Sequence, residues 1–281
     1  MMDFLSLITT WVNVPMNALG KILLAPVAVL PGWLSNTIIS AVVGVMLLLI
    51  FKYTSNQKAI ALVRDSIKAN MLALKLFKDS MLVTMKSQGL LFKAAFQLLF
   101  YALKPMLVMI VPVSLILAQM GLWYQYRPLR VGEKALITMQ LNSKPDSPLP
   151  MVSIDALPSA EVRTGPVRIS SEDQICWEIK AIENSKESVV FKVGSELIEK
   201  ELIVGDGFER LSVERPAWNF SNILLHPKEK PFRPDSVVQS ISIDYPERLS
   251  LTSGTDWWLV YFFIASMVFA LIFKPFLKVR I

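Results

Sequence analysis

The chain has 281 residues; 53% are hydrophobic, yet 19% are charged, and the formal net charge is +6. A mean hydropathy of +0.46 and a pI of about 9.3 exclude a uniform water-soluble domain and fit membrane spans joined to one. The single cysteine, Cys176, and the single histidine, His226, exclude an intramolecular disulfide, thiolate clusters and multi-histidine metal sites.

Residues 1–32 are the first segment. Phe4 to Leu30 is apolar but interrupted by Asn13, Pro15, Asn17, Lys21 and Pro26. That pattern makes a poor span and suits a helix lying in the outer membrane interface, with Trp11 and Lys21 at headgroup level. A kinked fourth span is the alternative, and it would put the N-terminus inside. A cleavable signal peptide is not expected, because no basic n-region precedes a clean apolar stretch.

Pro31-Gly32 turns the chain into the first span, Leu34–Phe51, which carries no charge. A span needs roughly 20 apolar residues to cross ~30 Å of hydrocarbon. Lys52 and Tyr53 mark its end at an interface. Two further spans are expected at about Pro105–Trp123 and Trp257–Phe273.

Between the first two spans, Ile60, Val63, Ile67, Met71, Leu74, Phe77 and Met81 recur at spacings of three and four and share one helical face. Lys58, Lys68, Lys75, Lys78 and Lys86 mostly fall elsewhere. Residues 53–100 therefore read as a basic helical hairpin or coiled coil, broken near Gly89. The same pattern fits a basic amphipathic helix resting on anionic lipid headgroups. Eleven of the 13 methionines lie outside residues 127–250. Met71, Met81 and Met85 on the hairpin suit a surface that accepts varied apolar partners, although methionine also serves as plain core filler.

Charge sets the orientation. From Lys52 to Lys104 nine Lys/Arg face two Asp, a balance of +7, and the tail adds Lys274, Lys278 and Arg280 with no acid. Residues 127–255 carry 16 basic and 19 acidic residues. Basic segments near span ends stay cytoplasmic. The expected topology has the N-terminus and residues 127–255 extracytoplasmic, and the hairpin 53–104 and the C-terminus cytoplasmic.

The region 127–250 is β-prone. Val131–Leu141, Met151–Ala156, Gln174–Ile182, Ser188–Val193, Leu197–Val204 and Val237–Tyr245 are short strand-like runs between turn signals. Ile175, Trp177, Ile179 and Ala181 alternate with Cys176, Glu178 and Lys180, as a half-buried strand requires, and Cys176 reads as a buried small hydrophobe. A separable β-sandwich is expected, with the proline-rich stretch Arg215–Asp235 as a long loop. Asn219-Phe220-Ser221 matches a glycosylation sequon by three residues only.

Catalytic signatures are missing, so no enzyme, cofactor or metal is expected. There is no Gly-Lys-Ser/Thr phosphate loop, and Gly205-Asp206-Gly207 reads as a hairpin turn. Glu196, Glu199 and Glu201 read as a solvated face. No acid lies inside an expected span, which argues against a proton-coupled transporter, and no basic-aromatic motif points to nucleic acid. The spans do carry Asn36, Thr37, Ser40, Ser114, Gln119 and Ser266, with Lys52 at the inner end of the first. These residues serve either helix packing or a wetted client groove that eases polar groups into the bilayer. The fold class expected is a membrane α-helical core with an inserted extracytoplasmic all-β sandwich. The core comprises three transmembrane helices (33–126 and 251–281), an interfacial helix (1–32) and the hairpin.

This order of parts resembles the Oxa/YidC insertase superfamily. The nearest likeness is to its three-span branch, which includes the insertase-core subunit of the ER membrane protein complex and archaeal relatives. The residues that carry it are Lys52-Tyr-Thr-Ser-Asn-Gln-Lys58, Leu103-Lys-Pro-Met-Leu-Val-Met-Ile110 and Trp257-Trp258-Leu-Val-Tyr-Phe-Phe263. The resemblance covers about residues 1–126 and 250–281. It implies a membrane-protein insertase or chaperone acting without nucleotide, with membrane-protein clients and the ribosome or other membrane subunits as partners. Lys68, Met71, Lys75, Lys78, Met81, Met85 and Lys86 would then face client or ribosome. Two departures stand out. The first span lacks the groove arginine usual in bacterial members, and the large domain follows the second span. The competing reading is a membrane-anchored scaffold or complex subunit whose β-sandwich binds another envelope protein. A channel or transporter is a third.

Overall fold

The computed structural model describes residues 2–77, 80–142, 150–155, 157, 159–250 and 257–279. It consists of long helices and an antiparallel β region. The chain divides into two compact units, Met1–Asn36 with Leu115–Val260, and Thr37–Ser114 with Tyr261–Ile281.

Helix α1 (Met2–Leu23) continues past Pro15, which lies inside it. A 3-10 turn, Ala25–Ala28, leads towards α2 (Gly32–Thr54). At 1.5 Å per residue α2 is about 34 Å long. Helix α3 (Gln57–Leu76) is started by Asn56, whose side chain accepts the Ala59 N–H at 3.0 Å. Helix α3 ends at Leu76, and Gly89, the expected breaker, lies inside α4 (Met81–Tyr124). One glycine costs a helix only about 1 kcal/mol, too little to interrupt a 44-residue run. Helices α2 and α4 are long and apolar enough to cross a membrane. The third expected span, α6 (Trp258–Phe273), has 16 residues and is about 24 Å long.

In the first unit, β1 (Lys134–Leu141), β3 (Ala160–Ile169), β4 (Gln174–Ala181), β7 (Glu214–Arg215) and β8 (Val238–Ile243) form one sheet in the order β3-β4-β1-β8-β7. The second sheet, β2-β5-β6, comprises Val152–Ile154, Ser185–Val193 and Glu196–Val204. All strand pairs are antiparallel. Ile175, Trp177, Ile179 and Ala181 turn inward as their alternation demands, and Cys176 is buried, its Sγ 3.8 Å from Oγ1 of its cross-strand partner Thr138. The two sheets share one apolar core in which Trp177 of β4 meets Phe191 of β5, ring centroids 5.5 Å apart. Each such aromatic buries 150–250 Å², worth about 4–6 kcal/mol at ~25 cal/mol per Å².

Three elements escape sequence patterning. Strand β3 is exposed along nearly its whole length, so it shows no alternation. The two-residue β7 is too short to register. Helix α5 (Phe220–Leu225) forms within the stretch expected to be loop. Asn219 of the sequon caps it, accepting the Ser221 N–H at 3.2 Å, which accounts for Asn219 as a helix cap.

Candidate functional site

The polar residues expected to line a groove lie mostly in helix contacts. Asn36 is fully buried, and its Nδ2 donates to the Trp258 carbonyl at 3.4 Å. Thr37 Oγ1 and Tyr261 Oη lie 2.5 Å apart. Ser40 is fully buried. Ser266, also buried, donates to the Phe263 carbonyl of its own helix at 3.0 Å. At Gly44 a Cβ would run into the Ser266 carbonyl oxygen. Small and hydroxylated residues here let α2 and α6 approach closely. Ser114 is half-buried on α4. Lys52 is also half-buried, its Nζ 5.9 Å from the Tyr53 ring centroid.

Below this contact, α2 and α6 open into an apolar cleft of about 390 Å³. Gly44, Leu47, Leu48 and Phe51 line one side, and Phe263, Ile264, Met267 and Ala270 the other. Its lining is hydrocarbon apart from Ser266, the one member of the polar set named from sequence that reaches it. Phe51 immediately precedes Lys52, so the cleft ends where the basic segment begins.

On the hairpin the face predicted from periodicity changes character along its length. Ile60 and Val63 are buried, Ile67 and Leu74 half-buried, and Met71 and Phe77 exposed. On α4, Met81 is 79% exposed and Met85 65%. Leu72, Leu76 and Leu82 are exposed too, as are Lys68, Lys75 and Lys86. Lys78 lies outside the described residues. The tip thus presents flexible apolar side chains among cations, an arrangement that adapts to apolar segments of varied shape.

Gln119 belongs elsewhere. Buried near the end of α4, its Nε2 donates to Asn17 Oδ1 of α1 at 3.1 Å, and its Oε1 accepts from Arg210 Nη2 at 2.7 Å. Arg210 also donates to Asn17. Asn13 and Asn17 donate to the carbonyls of Ile223 and Pro227, at 2.9 and 2.6 Å. The polar face of α1 therefore fastens to α5 and the loop after it, while Phe4, Trp11, Val14 and Ile22 stay exposed on its other face. Residues 13 and 17 interrupt the apolar pattern because they have partners, which one sequence does not reveal.

Sequence reasoning also missed Lys200. It is fully buried in β6, with Nζ 2.6 Å from Glu229 Oε1 and 2.7 Å from the Ser212 carbonyl. Burial holds its pKa below the ordinary lysine value despite the Glu229 charge. A signal existed: Lys200 falls in the inward phase with Ile198, Leu202 and Val204. Around it, Glu201 pairs with Lys228, and His226 lies 3.5 Å from Glu214 with its pKa lowered by burial. Glu196 and Glu199 are exposed, while Glu201 is half-buried by its pairing. Among the described residues no group of three His, Cys, Asp or Glu is placed to hold a metal ion.

No protein-family model, no curated protein and no solved structure matches this chain.

Proposed function

We propose that this chain is a membrane-protein insertase or chaperone that takes up apolar client segments at its hairpin tip and passes them to the bilayer without nucleotide. The observation that carries the reading is the exposed Met71, Met81 and Met85 beside Lys68, Lys75 and Lys86. A soluble hairpin would hide such side chains, since exposed contiguous apolar patches mark interaction sites. The lysines hold the tip near anionic headgroups, and methionine tolerates unlike clients. The apolar cleft bounded by Gly44 and Phe51 offers the next contact along the path. In this reading α2, α4 and α6 are the three spans. The N-terminus and the β domain are outside, the hairpin and tail inside, and α1 rests in the outer interface. The three-span branch of the Oxa/YidC superfamily supplies the analogy. Client passage then relies on the tip and the apolar cleft, because Asn36, Thr37 and Ser40 are engaged or buried.

A second reading is favoured by that same burial. Polar residues sealed in helix contacts suit a scaffold whose spans only anchor the β domain for another envelope protein. Reconstituted insertion separates the two. Vesicles containing the full chain should insert a short single-span client without nucleotide, and Met71, Met81 and Met85 replaced together by Gln should abolish the gain. Equal insertion by empty vesicles would favour the scaffold.

A further inference from the structure

We propose that Arg127, Arg130 and Arg248 form a binding site for the phosphate of an anionic phospholipid headgroup. The proposal rests on reading the apolar helices as membrane-embedded, and not on any client activity. The three arginines line one cavity of about 660 Å³. The lining comes from the first turn of α2, the segment just after α4, Phe208, and residues 246–250 on the way to α6. Stretches that enter or leave three apolar helices therefore meet at it.

Two of the arginines are neutralised in place. Arg127 makes a two-pronged pair with Glu133, at 2.8 and 3.0 Å. Arg130 Nε lies 3.1 Å from Asp206. Arg248 is different. Its Nε donates to the Trp123 carbonyl at 3.1 Å, its Nη2 to the Gly207 carbonyl at 2.9 Å, and its guanidinium stacks on Phe208 at 4.0 Å. Those neighbours fix the cation without cancelling its charge, and it makes no ion pair among the described residues. Burial draws its pKa down to about 10, and the neighbouring Arg127 charge pulls the same way, against a smaller opposing pull from Glu209. Among the described residues Glu247 is the only acid in the lining. Two cations held close in a partly dry cavity, one of them without an ion-pair partner among the described residues, gain most from an arriving anion.

The mouth decides between a lipid and a free anion. Trp33 and Leu249 line the cavity and are both exposed. An indole at a helix start is typical of the headgroup level of a bilayer, and an apolar rim suits glycerol and the first methylenes of an acyl chain. Inorganic phosphate has no use for either.

Hydrogen–deuterium exchange of the full chain tests the site. It would be compared in nanodiscs of phosphatidylglycerol, in nanodiscs of phosphatidylcholine, and in the latter with inorganic phosphate added. Peptides covering residues 123–130 and 205–209 should exchange about fivefold more slowly in phosphatidylglycerol, the effect of roughly one arginine–headgroup contact. Arg248→Gln should remove the difference. Should that variant disturb the loops it anchors, Arg130→Gln, with its exposed partner, should still reduce it. Equal exchange in the two lipids, or a difference unchanged in both variants, would overturn the proposal. Equal protection by inorganic phosphate would overturn the lipid assignment. Because no client is present, failure here would leave the insertase reading to its own test.

Discussion

Lys200 Nζ lies 2.6 Å from Glu229 Oε1, joining an inward position of β6 to the proline-rich loop. The lysine has no solvent exposure and the glutamate little. Deleting one partner of a buried pair strands the other charge, at about 3–5 kcal/mol, whereas an apolar replacement of both is often neutral or better. Lys200→Met alone should therefore destabilise the full chain strongly. Adding Glu229→Leu should recover most of the loss in urea denaturation followed by tryptophan fluorescence. Additive losses would mean the pair is not the coupled unit.

The same lysine gives a pH dependence. Burial holds Lys200 and Lys228 below 10.5 in the folded chain. The unfolded chain keeps those protons up to about 10.5, so below that value it binds more protons than the folded chain. These groups therefore make stability rise with pH on the alkaline side, and the gain is lost as pH falls back through the folded values. The urea midpoint should increase as pH rises towards the ordinary lysine value, and less steeply in the Lys200→Met/Glu229→Leu chain. An equal slope in both would contradict this.

The α2–α6 contact should be intolerant of bulk. Gly44→Ala places a methyl against the Ser266 carbonyl, and Asn36→Leu with Ser40→Leu overfills buried positions. Overpacking costs about 1–3 kcal/mol. Both changes should lower the thermal midpoint in detergent. Unchanged stability would show these positions to be loosely packed.

The β domain should fold without the helices, since the buried residues of its core run from Leu129 to Tyr245 and only the partly buried Tyr126 packs on it from before them. A fragment of residues 128–250 should show β-type circular dichroism. Its α5 amides should exchange faster than in the full chain, because the fragment lacks Asn13 and Asn17. A random-coil spectrum would refute separability.

Membrane orientation needs a probe that solvent can reach. Ser87 is buried, whereas Ser66 on α3 is exposed. In a Cys176→Ala background, Ser66→Cys should react with an impermeant maleimide only after the cytoplasmic side is opened. Labelling from outside would reverse the topology.

What was legible in the sequence follows physical rules of short range. Alternation marked the inward side chains of β4, and uncharged length marked α2. The helical periodicity after the first span was readable, but the end of α3 was not: Gly89 looked like a breaker, yet α3 ends at Leu76 and Gly89 lies inside α4. Partner-dependent features were invisible. Asn13 and Asn17 looked like flaws in an apolar helix until α5 supplied their acceptors. Gln119 looked like a groove residue until Arg210, 91 positions away, met it. The exposed strand β3 shows that an edge strand wet on both faces leaves no periodic trace.

The central claim is that the hairpin tip handles clients. Photo-crosslinkers placed at Met71, Met81 and Met85 in the full chain, with ribosome-bound nascent chains of a single-span membrane protein, test it most directly. Adducts should form at these positions with the apolar segment of the nascent chain, and none from a probe at the exposed Val162 of β3. If the tip yields no client adduct while the β domain captures one stable envelope protein, the insertase account is wrong and the scaffold reading stands.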